Sequence, residues 1–419
     1  MIEFNLPYGK GNQTFHLPGG LAVEVVEPPE VEAPAAPLSL VEAALEAPLG
    51  GVRLSDLHDA RSAAVAINDK TRPVPHQHLL PALLSRLEGL GLSPEAITLI
   101  IATGVHPVMP PAEFARVVPA ELLARYPVLC HDADDNANLV HLGATSRGTP
   151  VWINRRFLEA DLRLVVGNVE PHQFQGFSGG VKSAAIGLAG RETVDHNHAL
   201  MIDPLTQLGR YADNPARQDV EEIGGMIGVH FALNVVLNGQ KQIVHVITGD
   251  PRAVMEAAIP LSCQVNQAPV TTPFDLVIAS AGGHPKDINL YQAQKALAHV
   301  ALVTRAGGTV IVVAACPEGV GSQGHESWMR GVRSHEDVFT RFEREPFHVG
   351  PHKAYLVSRD AARVRTFLVS EMTPELVQRL LLTPAASVDA ALGLAMPDLP
   401  ADPRLGIFPR ASSTIPYLR

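Results

Sequence analysis

The residues best suited to chemistry crowd into one stretch, Glu170 to Met201, with the sequence EPHQFQGFSGGVKSAAIGLAGRETVDHNHALM. His172 follows an acid by two positions. A glycine–serine turn (Gly176, Ser178, Gly179, Gly180) leads to Lys182, and His196, Asn197 and His198 close the stretch. Glycines allow a backbone to approach a ligand closely. Successive N–H groups ahead of a helix can hold an anion. A lysine beside them is either an anion contact or a point of covalent attachment. Histidines around such a site serve as bases or metal ligands. Alone, an SGG is usually a turn and an HxH usually a surface pair. The weight comes from their proximity, and from other segments that offer matching groups.

Those segments follow short buried strands. Residues 63–67 form an apolar run that delivers Asn68 to Pro73, with Asp69, Lys70, Thr71 and Arg72. Residues 97–104 form another, leading to His106. Residues 162–169 form a third and lead to His172. Helical patterns at 78–87 and 111–125 alternate with these strands, the signature of a parallel α/β sheet. Ligands of such sheets sit beyond the carboxyl ends of the strands. There Arg72 can grip a carboxylate with paired hydrogen bonds. Histidines with an ordinary pKa of about 6.5 can take or give protons. If the 196–198 segment is helical, His196 and His198 cannot share a face. His198 is then the inward candidate, and His196 the solvent-facing one. One histidine cannot hold a bare metal ion, since protein-built sites normally use three or four ligands, so a metal here must bring most of its own.

The rest of the chain supplies the frame. Residues 2–28 read as two strands around a Gly9-Lys10-Gly11 turn, followed by a proline-rich connection and a helix at 40–46. Further strands are expected at 126–131 and 149–153. A hairpin is expected over 231–248 about Asn238-Gly239, then a helix at 251–258. A polar connector at 264–273 suggests a boundary. Residues 1–270 are expected to form one α/β domain, 271–399 a second, and the tail 400–419 to pack back on the first. In the second part, strands are expected at 274–279, 308–315 and 354–358, with helices at 290–300, 332–348 and 373–382. The 290–300 helix carries Tyr291, Gln292 and Lys295, with Tyr291 and Lys295 four apart on one face.

Composition narrows the function. The chain has 419 residues, 46% hydrophobic, which is enough for large cores. Cys130, Cys263 and Cys316 are too few and too scattered for a disulfide framework or a cysteine-built zinc site. A net charge of −10 without a basic stripe argues against nucleic acid. No apolar run reaches the roughly 18 residues that span a membrane, and no secretory signal is visible. A cytoplasmic protein is expected.

DKTRP at 69–73, TGVHP at 103–107, EPHQFQGFSGGVK at 170–182, NH at 197–198 and GGHPKDINLYQAQKA at 282–296 together resemble the nickel-dependent lactate racemase family. LPYGKG near the N-terminus and CPEGVGS at 316–322 also look like family segments. The resemblance implies two α/β domains with mostly parallel sheets and an active site in the interdomain cleft. It implies a nickel-pincer nucleotide, Ni(II)-pyridinium-3,5-bisthiocarboxylate mononucleotide, attached through a thioamide at Lys182 and matured by cofactor-synthesis proteins. His198 would be the one protein ligand to nickel, and His106 and His172 the acid–base pair. Asp69, Lys70, Thr71 and Arg72 would contact cofactor and substrate, and Ser178, Gly179 and Gly180 would lie near the cofactor phosphate. Tyr291, Gln292 and Lys295 would meet the substrate, a small 2-hydroxy acid. It would be racemised by reversible hydride transfer to the cofactor. Three positions depart from the common pattern: Val181 where a basic residue is frequent, Ile186 where a proline is frequent, and Ala315 where an acid often precedes the cysteine. Two other readings stay open: a kinase- or phosphatase-like enzyme using SGGVK as an anion loop, and a non-catalytic cofactor-binding relative.

Overall fold

The computed structural model describes every residue of the chain except Pro73, His348 and Val349. It divides into two compact units, residues 30–265 and residues 1–29 with 266–419.

In the 30–265 unit a six-stranded sheet runs in the order Ile243–Gly249, Phe231–Leu237, Leu162–Asn168, Ala63–Asn68, Ile97–Ala102, Val128–Cys130. All neighbours are parallel except the first two strands, which form the expected hairpin. The apolar runs are continuous because both faces are covered. Val65, Ile67, Leu99 and Ile101 enter one core, while Ala64, Ala66 and Ile100 enter another. Parallel pairing aligns the strand ends: Asn68 pairs with Ala102. The segment after each strand, Asp69–Arg72 and Thr103–His106, therefore leaves the same edge of the sheet.

Beyond Asn168 the chain makes a small antiparallel ribbon, with His172 opposite Gly176. Gly176 has φ +70°, and a Cβ there would lie 1.6 Å from the Arg210 carbonyl oxygen. No other residue fits that crossing without moving the backbone. A Cβ on Gly180, at φ +58°, would lie 2.6 Å from Met255. The fully buried Arg217 ties this loop down. Its guanidinium donates to the carbonyls of Phe177 (2.9 Å) and Gly179 (3.1 Å), and pairs with Glu221. Arg217 sits in the first turn of the helix Pro215–Ile227. That helix starts with Asn214 as side-chain cap and Pro215 in its first turn, and ends on the left-handed Gly228.

The other unit has a six-stranded parallel sheet in the order Thr383–Ala385, Arg365–Val369, Thr304–Val313, Phe274–Ser280, Arg404–Phe408, Ala22–Val25. The N-terminal hairpin pairs Ile2–Tyr8 with Gly11–Leu17. The helix Leu290–Val300 is capped by the Asn289 side chain.

Several expectations are corrected. Residues 1–29 belong with the C-terminal unit, not with an N-terminal domain of 1–270. The tail belongs with residues 1–29 and 266–399 in one unit. Arg404–Phe408 is an interior strand of the second sheet, and Ile415–Leu418 pairs with Gln267–Val270. Gly406 permits the interior position, since a Cβ there would lie 2.9 Å from the Phe274 ring. The expected helix at 111–125 is a 3-10 turn, Pro111–Arg116, and a short helix, Ala120–Leu123. Pro119 between them has no N–H to continue the ladder. Residues 354–358 are helical, within Pro351–Arg363, and the strand follows at Arg365–Val369. A five-residue apolar run does not distinguish the two, and here the helix is buried on most of its surface, through His352, Lys353, Ala354, Leu356, Val357, Ser358 and Asp360. The helix expected at 332–348 spans His335–Arg344, and His348 lies outside the described residues.

Candidate active site

The first cluster joins two loops at the sheet edge. The buried Asp69 accepts from the Thr71 hydroxyl (2.8 Å) and amide (3.1 Å) through Oδ1, and its Oδ2 lies 2.8 Å from His106 Nδ1. Burial pushes the Asp69 carboxyl up, but the hydrogen bond and charge of His106 and the bonds from Thr71 outweigh it, so its pKa is lowered. Ionised Asp69 holds the His106 proton on Nδ1, which leaves Nε2 basic. We expect Asp69→Asn to cost about 10²–10⁴ in turnover, because the amide can donate to Nδ1 and trap the wrong tautomer. Turnover within a few-fold of wild type would remove Asp69 from the site. The stabilising contribution of Asp69 should be present above about pH 4 and fade as pH falls through its lowered pKa. Thermal melts of both proteins against pH would read this.

Lys70 pairs with Glu113. Arg72 acts electrostatically on Glu170 and Lys182. Lys182, half-buried at the start of the helix Lys182–Ala185, has its pKa pushed down to about 7 by burial and by the charges of Arg72 and Arg217, with Glu170 opposing. At neutral pH much of it is a free amine, a nucleophile rather than a point charge.

Several donors of the loop before Lys182 are used internally. Ser178 N–H bonds to Glu170 O, the Ser178 hydroxyl donates to Asn168 O, and Gly180 N–H reaches Asn234 Oδ1 at 2.7 Å. Lys182 N–H bonds to Gly179 O. Ser178 and Gly180 therefore shape the turn, and the anion-loop reading loses those amides. Val181 is buried against Gly224, where an added Cβ would lie 2.5 Å away. Ile186 and Ala315 are buried as well. Apolar side chains thus suit all three departures.

A second cluster gathers around the helix Arg191–Ala199. His196 is exposed, as expected, while His198 is half-buried. His198 Nδ1 lies 3.2 Å from Asn197 Oδ1, and Gln175 N–H donates to His172 Nδ1 at 3.2 Å. Phe174 lies edge-on to both rings, 4.9 Å from His172 and 4.8 Å from His198 between centroids. Sequence reasoning passed over Gln175, Asp219 and Arg217. The only signal was the place of Gln175 inside the EPHQFQG segment. Among the described residues, no group of three or more His, Cys, Asp or Glu could hold a metal ion.

Within the other unit, Lys295 Nζ donates to Gln292 Oε1 at 3.1 Å on the helix Leu290–Val300. The Tyr291 ring lies 5.1 Å from the Lys353 ammonium.

Residues 8–209 match the family described as lactate racemase N-terminal domain, and residues 270–415 match lactate racemase C-terminal domain. The chain belongs to the lactate racemase family. A lactate racemase of Thermoanaerobacterium thermosaccharolyticum is 29% identical over 437 residues, covering 99% of each chain. One of Lactiplantibacillus plantarum is 29% identical over 363 residues, covering 84% of each. The solved lactate racemase apoprotein from T. thermosaccharolyticum superposes with a TM-score of 0.89 at 27% identity, across 99% of this chain and 100% of that one. A Thermotoga maritima protein, at TM-score 0.66 and 19% identity, shares the fold, across 93% of this chain and 100% of its own. Relatives named lactate racemase are isomerases. This lactate racemase family member has no helix, among the described residues, long and apolar enough to cross a membrane.

Proposed function

We propose that this protein is a cytoplasmic racemase or epimerase of a lactate-like 2-hydroxy acid, working with a nickel-pincer nucleotide attached at Lys182. The observation that carries the reading is Lys182 itself. A half-buried amine with a pKa of about 7 suits covalent attachment, and an anion contact has no use for a neutral one. The donor set fits the group in a second respect: a single histidine, His198, suits a metal whose other ligands arrive with it.

When bound, the cofactor would supply a hydride acceptor and the metal, the chemistry that a protein side chain lacks. The chain's own residues handle protons and charge. His106, with Nδ1 held by Asp69, offers Nε2 to a substrate hydroxyl. His172, whose Nδ1 accepts from Gln175 N–H, carries its proton on Nε2 when neutral and can then hydrogen-bond to a substrate oxygen. To deliver a proton and be left neutral it must start as the imidazolium, with the Gln175 contact released. Two such groups are needed because two enantiomers present their hydroxyls differently. Arg72 is assigned to the substrate carboxylate, and Tyr291, Gln292 and Lys295 are proposed as substrate residues. Lys70 and Thr71 join Asp69 and Arg72 as cofactor contacts, and Ser178, Gly179 and Gly180 set the turn that presents Lys182.

The test is the intact mass of protein co-expressed with the cofactor-synthesis proteins, with nickel measured on the same sample. An adduct mapping to Lys182, nickel equimolar with protein, and racemisation of a chiral 2-hydroxy acid are expected. No adduct and no nickel, from a host that loads a known lactate racemase, would overturn the reading. A loaded protein without racemisation of any 2-hydroxy acid would favour the non-catalytic relative.

A further inference from the structure

Successive side chains on a helix diverge, so a contact between Asn197 and His198 is not automatic. The contact exists because a buried polar network dictates which way the Asn197 amide points. Asn197, Gln175 and Asp219 are all fully buried. Asn197 Nδ2 donates to Ala216 O and to Asp219 Oδ2, both at 2.9 Å. Flipping the amide would turn its oxygen onto two acceptors, so the orientation is determined. Oδ1 then faces Gln175 Nε2 at 2.5 Å and His198 Nδ1 at 3.2 Å. An amide oxygen only accepts, so His198 must carry its proton on Nδ1, and the lone pair is left on Nε2.

Asp219 anchors the arrangement. It accepts from the hydroxyls of Thr145 (2.6 Å) and Thr149 (3.0 Å) as well as from Asn197. Thr149 N–H donates to the Thr145 hydroxyl oxygen, so that hydroxyl must spend its own proton on Asp219. At the other end of the network, Gln175 uses its main-chain N–H on His172 Nδ1. Two histidines are thus met with opposite polarity: the Asn197 amide oxygen accepts from His198, leaving the lone pair on Nε2, and the main-chain N–H of Gln175 donates to His172, leaving the proton on Nε2.

We propose that Asn197, anchored by Asp219, is a positioning residue that sets His198 as the Nδ1–H tautomer, the form that binds a metal through Nε2, while the main-chain N–H of Gln175 separately holds His172 as the opposite tautomer. The metal role rests on the reading of His198 as nickel ligand given above. The tautomers do not, since they follow from hydrogen bonds within the protein alone. Ligating histidines are generally held by such an acceptor, and losing it typically costs about 10- to 100-fold in metal affinity.

The test begins on the cofactor-free protein with 15N-labelled histidine, using long-range 1H–15N correlations that report which ring nitrogen is protonated. His198→Gln and His172→Gln assign the signals. In the wild type His198 should be Nδ1–H and His172 Nε2–H. Asn197→Ala should leave His198 a mixture of tautomers. Asn197→Asp sets its new oxygen against both Asp219 and Ala216 O. Adding Asp219→Asn restores a donor at the first of these two contacts, and that double variant should regain part of the Nδ1–H form. A purely structural role would move the melting temperature but not the tautomer. A wild-type His198 found as Nε2–H overturns the proposal even if every variant fails to fold. So does a folded Asn197→Ala protein with an unchanged His198. On loaded protein, nickel retention through dialysis should fall about 10- to 100-fold in Asn197→Ala and recover in part in the double variant. Expected tautomers in a wild-type protein that takes up no nickel would overturn the ligand role while leaving the hydrogen-bond assignment standing.

Discussion

Lys182→Ala will yield a folded protein with no cofactor adduct, no nickel and no racemisation, even when the cofactor-synthesis proteins are present. An ammonium has no lone pair for bond formation, and ordinary lysines titrate near about 10.4, so few of them are reactive at neutral pH. Burial, Arg72 and Arg217 bring Lys182 down to about 7. Acylation of Lys182 in the cofactor-free protein by a small activated ester should accordingly rise through about pH 7, read peptide by peptide by mass spectrometry, with exposed lysines following at much higher pH. Lys182→Arg separates charge from nucleophile. It keeps a cation and should lose attachment just as completely. Unfolding is not the expected cause of either loss. A lysine whose folded pKa lies below its unfolded value opposes folding at all pH below the unfolded value, and does so fully below the folded one. Removing it should therefore leave the melting temperature at pH 6 unchanged or higher. A normal mass shift in the Lys182→Ala protein would refute the linkage.

His106→Ala and His172→Ala should each lower racemisation by about 10²–10⁴, the usual worth of a positioned acid or base, with cofactor loading intact. The two rings are held differently. Asp69 binds His106 Nδ1 at 2.8 Å through an ionised carboxylate, whereas Gln175 N–H is aimed at His172 Nδ1. Neither ring can take over the other's hydrogen bond where it stands, so one variant should not be masked by the surviving histidine. Enantiomers have equal free energy, so kcat/KM must fall equally from both sides in either variant. Both directions should be followed by chiral chromatography. Full activity in either variant would remove that histidine from the mechanism. Loss of nickel along with activity would instead place it in cofactor binding.

The sheet of the 30–265 unit was legible because its strands are continuous apolar runs with loops bearing Asp69, His106 and His172 at their ends. Parallel pairing then obliges those loops to share an edge. The hairpin about Asn238 and the helix Leu290–Val300 were legible for the same local reasons, turn chemistry and a 3.6-residue period. That His196 and His198 cannot share a face needed only helical geometry. Long-range partnership was not legible. The strand Arg404–Phe408 looks like any short apolar run, and only packing against Phe274 and pairing with Phe274–Ser280 tell which sheet receives it. Residues 1–29 look continuous with the neighbouring chain from residue 30 onward, but the strand Ala22–Val25 pairs with Arg404–Phe408, far away in sequence.

Residue type and spacing thus carry the capacity to attach, ligate and exchange protons, and that much is written along the chain. The states of those groups come from folded contacts. Lys182 loses its proton readily because Arg72, distant in the chain, and Arg217, on a separate helix, both bear on it in a desolvated place. His106 and His198 carry their proton on Nδ1, and His172 on Nε2, because Asp69, Asn197 and the Gln175 N–H meet their Nδ1 atoms in the folded chain. Charge and hydrogen bonding act through space, and no local pattern encodes them.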